Sequence, residues 1–185
     1  QNFTETVVAS GNSADGVIDI NVVDLDDDGD LDIVGAEHDD NAITWYRNDG
    51  NLNFTAVTAA GSQSAIWDIS VADVDGDGDM DILGALNGAH LVRWYENNGS
   101  ESFTARNIGS GYNNPNSVEA ADMDGDGDMD IIALISQEFE MIVAYMNDGH
   151  GNFNEQTLFE ADSPSFGSSG LELVDLDADG DIDVL

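Results

Sequence analysis

One string, D-x-D-x-D-G-D-x-D, occurs four times along this chain, beginning at Asp24, Asp73, Asp122 and Asp175. The intervals are 49, 49 and 53 residues. Other residue types keep the same beat: Tyr46, Tyr95 and Tyr145 form one series, and Phe54, Phe103 and Phe153 another. Unrelated markers in one register define an internal repeat of about fifty residues. That period restricts the chain to copies of one supersecondary unit, stacked or arranged in a ring.

Each unit reads as short strands separated by turns. In the second repeat the pattern predicts strand A over 66–72, the Asp loop, strand B over 80–86 and strand C over 90–96. An Asn-Asn-Gly turn follows, then strand D over 103–108. Asn-Asp-Gly at 48–50 and 147–149 marks the same hairpin turn in the flanking repeats. No segment sustains a helical apolar period. Four antiparallel strands at this spacing are the signature of β-propeller blades, so the expected fold is all-β. The run Asp130-Ile-Ile-Ala-Leu-Ile is apolar on both faces, as a strand packed between two neighbours requires. A linear β-solenoid is the competing fold, but its coils are normally shorter.

The expected organisation is one repeat array over 1–185. Residues 1–8 form the last strand of a preceding blade, 16–58, 65–108 and 115–158 are whole blades, and 169–185 start a further one. Head-to-tail closure would omit the equivalents of 133–150, strand C included. The chain is therefore expected either to belong to a longer propeller or to be completed by neighbouring copies. Open blade edges make self-association the expected consequence.

The loops themselves point to a metal. Each offers carboxylates at positions 1, 3, 5 and 9, a glycine at 6 and a backbone carbonyl from a further aspartate at 7. The first supplies Asp24, Asp26, Asp28, Asp30 and Asp32; the second Asp73, Asp75, Asp77, Asp79 and Asp81. The third supplies Asp122, Asp124, Asp126, Asp128 and Asp130, and the fourth Asp175, Asp177, Asp179, Asp181 and Asp183. With a water added, this is the hard, six- or seven-oxygen shell that Ca²⁺ prefers, giving up to four ions. Mg²⁺ would keep more of its own water, and the absence of cysteine and scarcity of histidine argue against Zn²⁺. An EF-hand needs a bidentate Glu at position 12 and flanking helices. Position 12 here is Gly35, Gly84 or Ala133, inside a β-type run. Nonapeptide calcium coils fail as well, because nothing repeats at nine residues.

The metal string, the hydrophobic strand after it and the fifty-residue period together resemble the FG-GAP/VCBS repeats of integrin-α-type propellers and many secreted bacterial proteins. The resemblance covers essentially the whole chain. It implies a calcium-binding propeller whose loop joins the first two strands of each blade, with seven blades in the ring. The chain departs from the family in its Phe-Gly element, which reads Asn2-Phe3, Asn53-Phe54, Ser102-Phe103 and Asn152-Phe153. Trp45 and Trp94 also give way to Ala144 in the third repeat.

Charge bounds the partners. The chain carries 39 acidic residues against 3 Lys+Arg, a formal net charge of -36. Of the 39 acids, 21 lie in the four nine-residue loops. Such a surface repels phosphate, so nucleic acid is excluded as a partner and anionic membrane disfavoured. Membrane insertion is excluded too, since no apolar run reaches about 18 residues. A 41% hydrophobic content with regularly placed aromatics indicates a folded protein rather than an acidic disordered one. The N-terminus has no signal-peptide pattern; if exported, the chain is expected to begin after the signal.

No nucleophile–base signature is present, and no catalytic residues are assigned. His38, His90 and His150 lie in or beside turns without a ligand spacing, and Trp45 and Trp94 read as inter-blade core rather than a sugar platform. The sequons at Asn2, Asn53 and Asn98 coincide with turn chemistry. Calcium sites of extracellular modules have dissociation constants of about 0.1–1 mM, too weak to fill in the cytosol. The expected function is therefore an extracellular, secreted or cell-surface calcium-stabilised module for adhesion or binding. Its protein or glycan ligand is expected on the face opposite the calcium loops, where loops near Tyr112 and Phe166 vary. The alternatives are part of a lyase-like polysaccharide-degrading enzyme and a structural subunit of a matrix or filament.

Overall fold

A computed structural model describes residues 7–8, 16–163 and 170–185. Most of the strand expected over 1–8 lies outside the described residues, as does Phe166. Among the described residues there are three four-stranded antiparallel sheets and one two-stranded sheet. The first holds β1 (Val17–Val23), β2 (Asp32–Glu37), β3 (Ala42–Asn48) and β4 (Phe54–Ala60). The second holds β5 (Ile66–Ala72), β6 (Asp81–Leu86), β7 (Leu91–Asn97) and β8 (Phe103–Ser110). The third holds β9 (Pro115–Ala121), β10 (Asp130–Ser136), β11 (Glu140–Asn147) and β12 (Phe153–Glu160). A pair, β13 (Leu173–Val174) and β14 (Asp183–Val184), opens the fourth repeat. Strand order within each sheet follows the chain. The strands read for the second repeat agree with this to within two residues.

The central strands explain the two-faced apolar runs. Along β6, Ile82 packs into a core with Val34, Ile43 and Trp45 of the first repeat. Its neighbour Leu83 faces the other way, into a core with Val118, Ile131 and Val143 of the third. The same alternation sends Tyr95 to the first repeat and Trp94 to the third. Ile132 and Ala144 face Leu171 of the fourth. Among the described residues every core thus lies between two sheets, so no repeat there buries its apolar residues alone. Trp45 and Trp94 are 1% and 2% exposed within these cores, which makes them packing residues. Arg47 and Arg106 lie over their rings, at 5.8 and 5.3 Å from the ring centroids.

Outer strands β8 and β12 are mostly exposed, and β12 carries Asn154, Glu155, Gln156, Thr157 and Glu160, polar residues that discourage edge pairing. Inner strands β1, β5 and β9 lie beside one another in sequence order. The loops divide between two ends. At one end the Asp loops meet the turns after β3, β7 and β11. At the other, the Gln63 N–H donates to the Asn41 carbonyl at 2.7 Å, joining the β4–β5 connection to the turn before β3.

Candidate metal centres

Each Asp loop links an inner strand to the central strand beside it, and its own first carboxylate folds it. Asp24 accepts the N–H groups of Asp28 and Gly29 at 3.1 and 2.9 Å. Asp73 accepts those of Gly76 and Gly78, at 2.9 and 3.1 Å. Asp122 and Asp175 make the matching bonds to Gly127 and Gly180. The position-5 carboxylates Asp28, Asp77, Asp126 and Asp179 each accept the N–H of position 7. Glycine is needed at position 6 because the chain turns there through φ of 93°, 98°, 97° and 100°, outside the range an L side chain tolerates.

Position 9 is anchored from both sides. Asp32, Asp81 and Asp130 are buried, with 0%, 0% and 1% exposure. One oxygen of each accepts the N–H of position 2: Leu25 at 3.2 Å, Val74 at 3.1 Å and Met123 at 3.0 Å. The other accepts the N–H of Asn48, Asn97 or Asn147, at 2.7, 2.7 and 2.8 Å. Asp32 also accepts the Trp45 indole N–H at 2.8 Å.

These constraints bring carboxylates together. Asp24, Asp26 and Asp28 converge in the first loop, with one oxygen of each within 4.8 Å of the others. The later loops gather positions 1, 3 and 9 under the same limit: Asp73, Asp75 and Asp81; Asp122, Asp124 and Asp130; Asp175, Asp177 and Asp183. Asp32, Asp77, Asp126 and Asp179 lie outside these triads. At position 7, the side chains of Asp30, Asp79 and Asp128 stand against Gly50, Gly99 and Gly149 of the neighbouring turn. Asp181 also lies outside its triad, so position 7 would contribute its carbonyl.

The electrostatics are those of uncompensated acids. Burial pushes the Asp26 carboxyl up, and the charges of Asp32 and Asp28 push it further. Asp75 is raised by burial and by Asp77. Burial takes Asp81 up to about 7, against the lowering pull of the Asn97 and Val74 amides. One oxygen of Asp26 is buried and accepts no hydrogen bond. A donor set of carboxylate and carbonyl oxygens, with a buried oxygen left over, fits a hard divalent cation. Beside Asp26 a cleft of about 300 Å³ opens between Leu25, Trp45 and the Asn97–Glu101 turn of the next repeat.

The three histidines do not converge: His38 contacts Asp39, His150 contacts the Asp148 carbonyl, and His90 ends a short 3-10 turn. Tyr112, in a loop expected on the ligand face, is half-buried against the core, and its hydroxyl donates to Glu155. Sequence reading missed the Asn97 and Asn147 amides. They reach back to the Leu25 and Val74 carbonyls of the preceding repeat's loop, at 3.2 and 2.8 Å. The signal was present: each asparagine stands two residues after a marker tyrosine.

Four acidic, cation-ready hairpins on a stack of face-to-face antiparallel sheets define an all-β repeat protein with one loop centre per repeat. The model of the FG-GAP-like repeat matches residues 24–84 and 83–133, and the chain belongs to that family. Among solved structures the chain is similar to the Vibrio cholerae biofilm matrix protein Bap1, at 22% identity and a TM-score of 0.38. That similarity covers 72% of this chain and 27% of the other. A search of curated proteins finds no match.

Proposed function

We propose that the chain is a calcium-stabilised portion of a β-propeller, serving outside the cell as an adhesion or binding module rather than as an enzyme. The observation that carries this reading is the convergence of three carboxylates in each of four loops. The propeller reading is supported by inner strands β1, β5 and β9 lying side by side, with loops of one kind at one end. On that reading the sheets are blades with the boundaries expected from sequence. The ions would be held by the triads above, with Asp30, Asp79, Asp128 and Asp181 offering carbonyls. A bound Ca²⁺ supplies positive charge that offsets carboxylate repulsion and ties each inner strand to its neighbour.

At roughly ten to a hundred times the dissociation constant, each occupied site adds about 1.4–2.7 kcal/mol. Thermal unfolding in calcium and in EGTA tests this. Chelation should lower Tm by more than ten degrees, and an equal Tm in both media would refute it.

Ligand recognition, of protein or glycan, is assigned to the end opposite the Asp loops. Trp67 is 48% exposed there and shares a shallow apolar hollow of about 340 Å³ with Ile18 and His38. Trp67→Ala is expected to remove ligand binding and leave calcium affinity unchanged; binding that survives the substitution rejects the assignment. Ile20 on β1 is 57% exposed, whereas its repeat equivalents Ile69 and Val118 are buried. That difference supports a further repeat packing on β1, from the same polypeptide or another copy.

A further inference from the structure

The inner strands are joined by side chains that no metal loop uses. Asp19 on β1 accepts the Ile69 N–H of β5 at 3.1 Å. Asp68, its equivalent on β5, takes two bonds on one oxygen: from the Ser117 hydroxyl at 2.7 Å and the Val118 N–H at 2.9 Å, both of β9. Ser117 stands at the third equivalent position, and its oxygen accepts the Leu171 N–H of the fourth repeat at 3.2 Å. Glu119 reaches back the other way and accepts the Ser70 hydroxyl at 3.0 Å. A polar seam therefore runs through all four repeats: backbone N–H groups are met by the residue one before their counterpart, and the Ser70 and Ser117 hydroxyls by their own counterparts Glu119 and Asp68.

The seam gathers negative charge with no cation to answer it among the described residues. Asp68 is faced by Asp19 from β1 and Glu119 from β9, and Glu172 adds to the field at Glu119. On the packed strands β6 and β2, Asp81 is engaged by the Val74 and Asn97 amides, and Glu37 by the Tyr46 hydroxyl. The arginines are spent elsewhere. Arg47 pairs with Glu101, Arg106 with Glu96, and Arg93 bonds Asn107 and Gln63. Burial is the main cause that pushes Asp68 up to about 6, opposed by the Ser117 and Val118 bonds and reinforced by Asp19 and Glu119. Burial raises Glu119 as well.

The sign follows from linkage. A carboxyl whose folded pKa exceeds its unfolded value binds its proton more tightly in the folded state. Stability then rises as pH falls from about 7 toward 5, and the full cost of the buried charges is present above that window.

We propose that this seam is an acid-tightened latch: protonation of Asp68 and Glu119 relieves their repulsion with each other and with Asp19, and holds successive repeats together more firmly at pH 5 than at pH 8. The latch opposes the metal loops, whose ligands must be deprotonated and so weaken toward acid. Seam variants compared with the unmodified chain at one fixed calcium concentration separate the two responses, because both chains carry the same loops.

The test pairs Asp68→Asn with Glu119→Gln, changes that remove charge and retain an acceptor for the Val118 amide and the Ser70 hydroxyl. In saturating calcium this double variant should melt about 2–4 °C above the unmodified chain at pH 8. It should also lose at least half of that chain's Tm gain between pH 8 and pH 5. A control double variant, Glu138→Gln with Glu160→Gln, removes the same charge from exposed positions and should keep the unmodified pH response. A seam variant that retains the full response, or that folds yet melts lower at both pH values, overturns the proposal. If the variant does not fold, hydrogen exchange on the unmodified chain decides. Corrected for intrinsic rates, protection of the Ile69 and Val118 amides should be greater at pH 5, and equal or lesser protection overturns the latch.

Discussion

At the scale of single residues, the aspartates of one loop look alike in sequence and do different things in the fold. Asp73, Asp75 and Asp81 share one triad, yet Asp73 also caps its own loop through the Gly76 and Gly78 amides, and Asp81 is buried and holds the Val74 and Asn97 amides. This division predicts two distinct mutational signatures. Asp81→Ala leaves the buried Val74 and Asn97 N–H groups without acceptors. It should cost about 2–4 kcal/mol in a urea melt even in EGTA, since each orphaned buried donor costs roughly 1–3 kcal/mol. Asp75→Asn removes charge from a crowded cluster. It should leave stability in EGTA unchanged or slightly higher, while shrinking the stabilisation that calcium adds. Loss of stability in EGTA for Asp75→Asn, equal to that of Asp81→Ala, would contradict the division.

At the scale of elements, each sheet is held to the next by three means. Apolar cores fill the space between faces, the inner-strand seam joins one edge, and the asparagine after each central hairpin reaches back to the previous loop. Asn97 shows how tightly these are coupled. Its backbone N–H holds Asp81, while its amide donates to Met80 within the repeat and to Leu25 in the repeat before. Asn97→Ala keeps the first bond and loses the other two, together with the Gly99 N–H bond to its Oδ1, so it should destabilise by about 1–3 kcal/mol in the same urea assay. The loss should be accompanied by faster hydrogen exchange across both the first and second repeats. Exchange confined to the second repeat would show that the link to Leu25 carries no energy.

For the whole molecule, the net charge of -36 and the placement of 21 acids in four hairpins make electrostatics the variable that conditions control. Without calcium the chain should be markedly sensitive to ionic strength. In EGTA, raising NaCl from about 0.01 M to about 0.1 M shortens the Debye length from roughly 30 Å to roughly 10 Å. Tm should climb by several degrees over that interval. In saturating calcium the same change should have a much smaller effect, and equal salt sensitivity in both media would argue that the loop charges are not what calcium relieves.

Period, strand content, turn positions and the acidic loops were legible in the sequence, because each depends on local chemistry repeated in register. Gly78 at φ 98° is needed by its own turn whatever surrounds it, and the alternating Ile82 and Leu83 already imply two buried faces. What remained illegible depends on partners about fifty residues away. Nothing near Asp68 announces that Ser117 and Val118 will meet it, and nothing near Tyr112 announces that Glu155 takes its hydroxyl. Local sequence sets what each repeat can form. Only the packing of one sheet on the next decides which polar groups lose water together, and therefore which carboxylates are left to face one another and which hold a backbone amide.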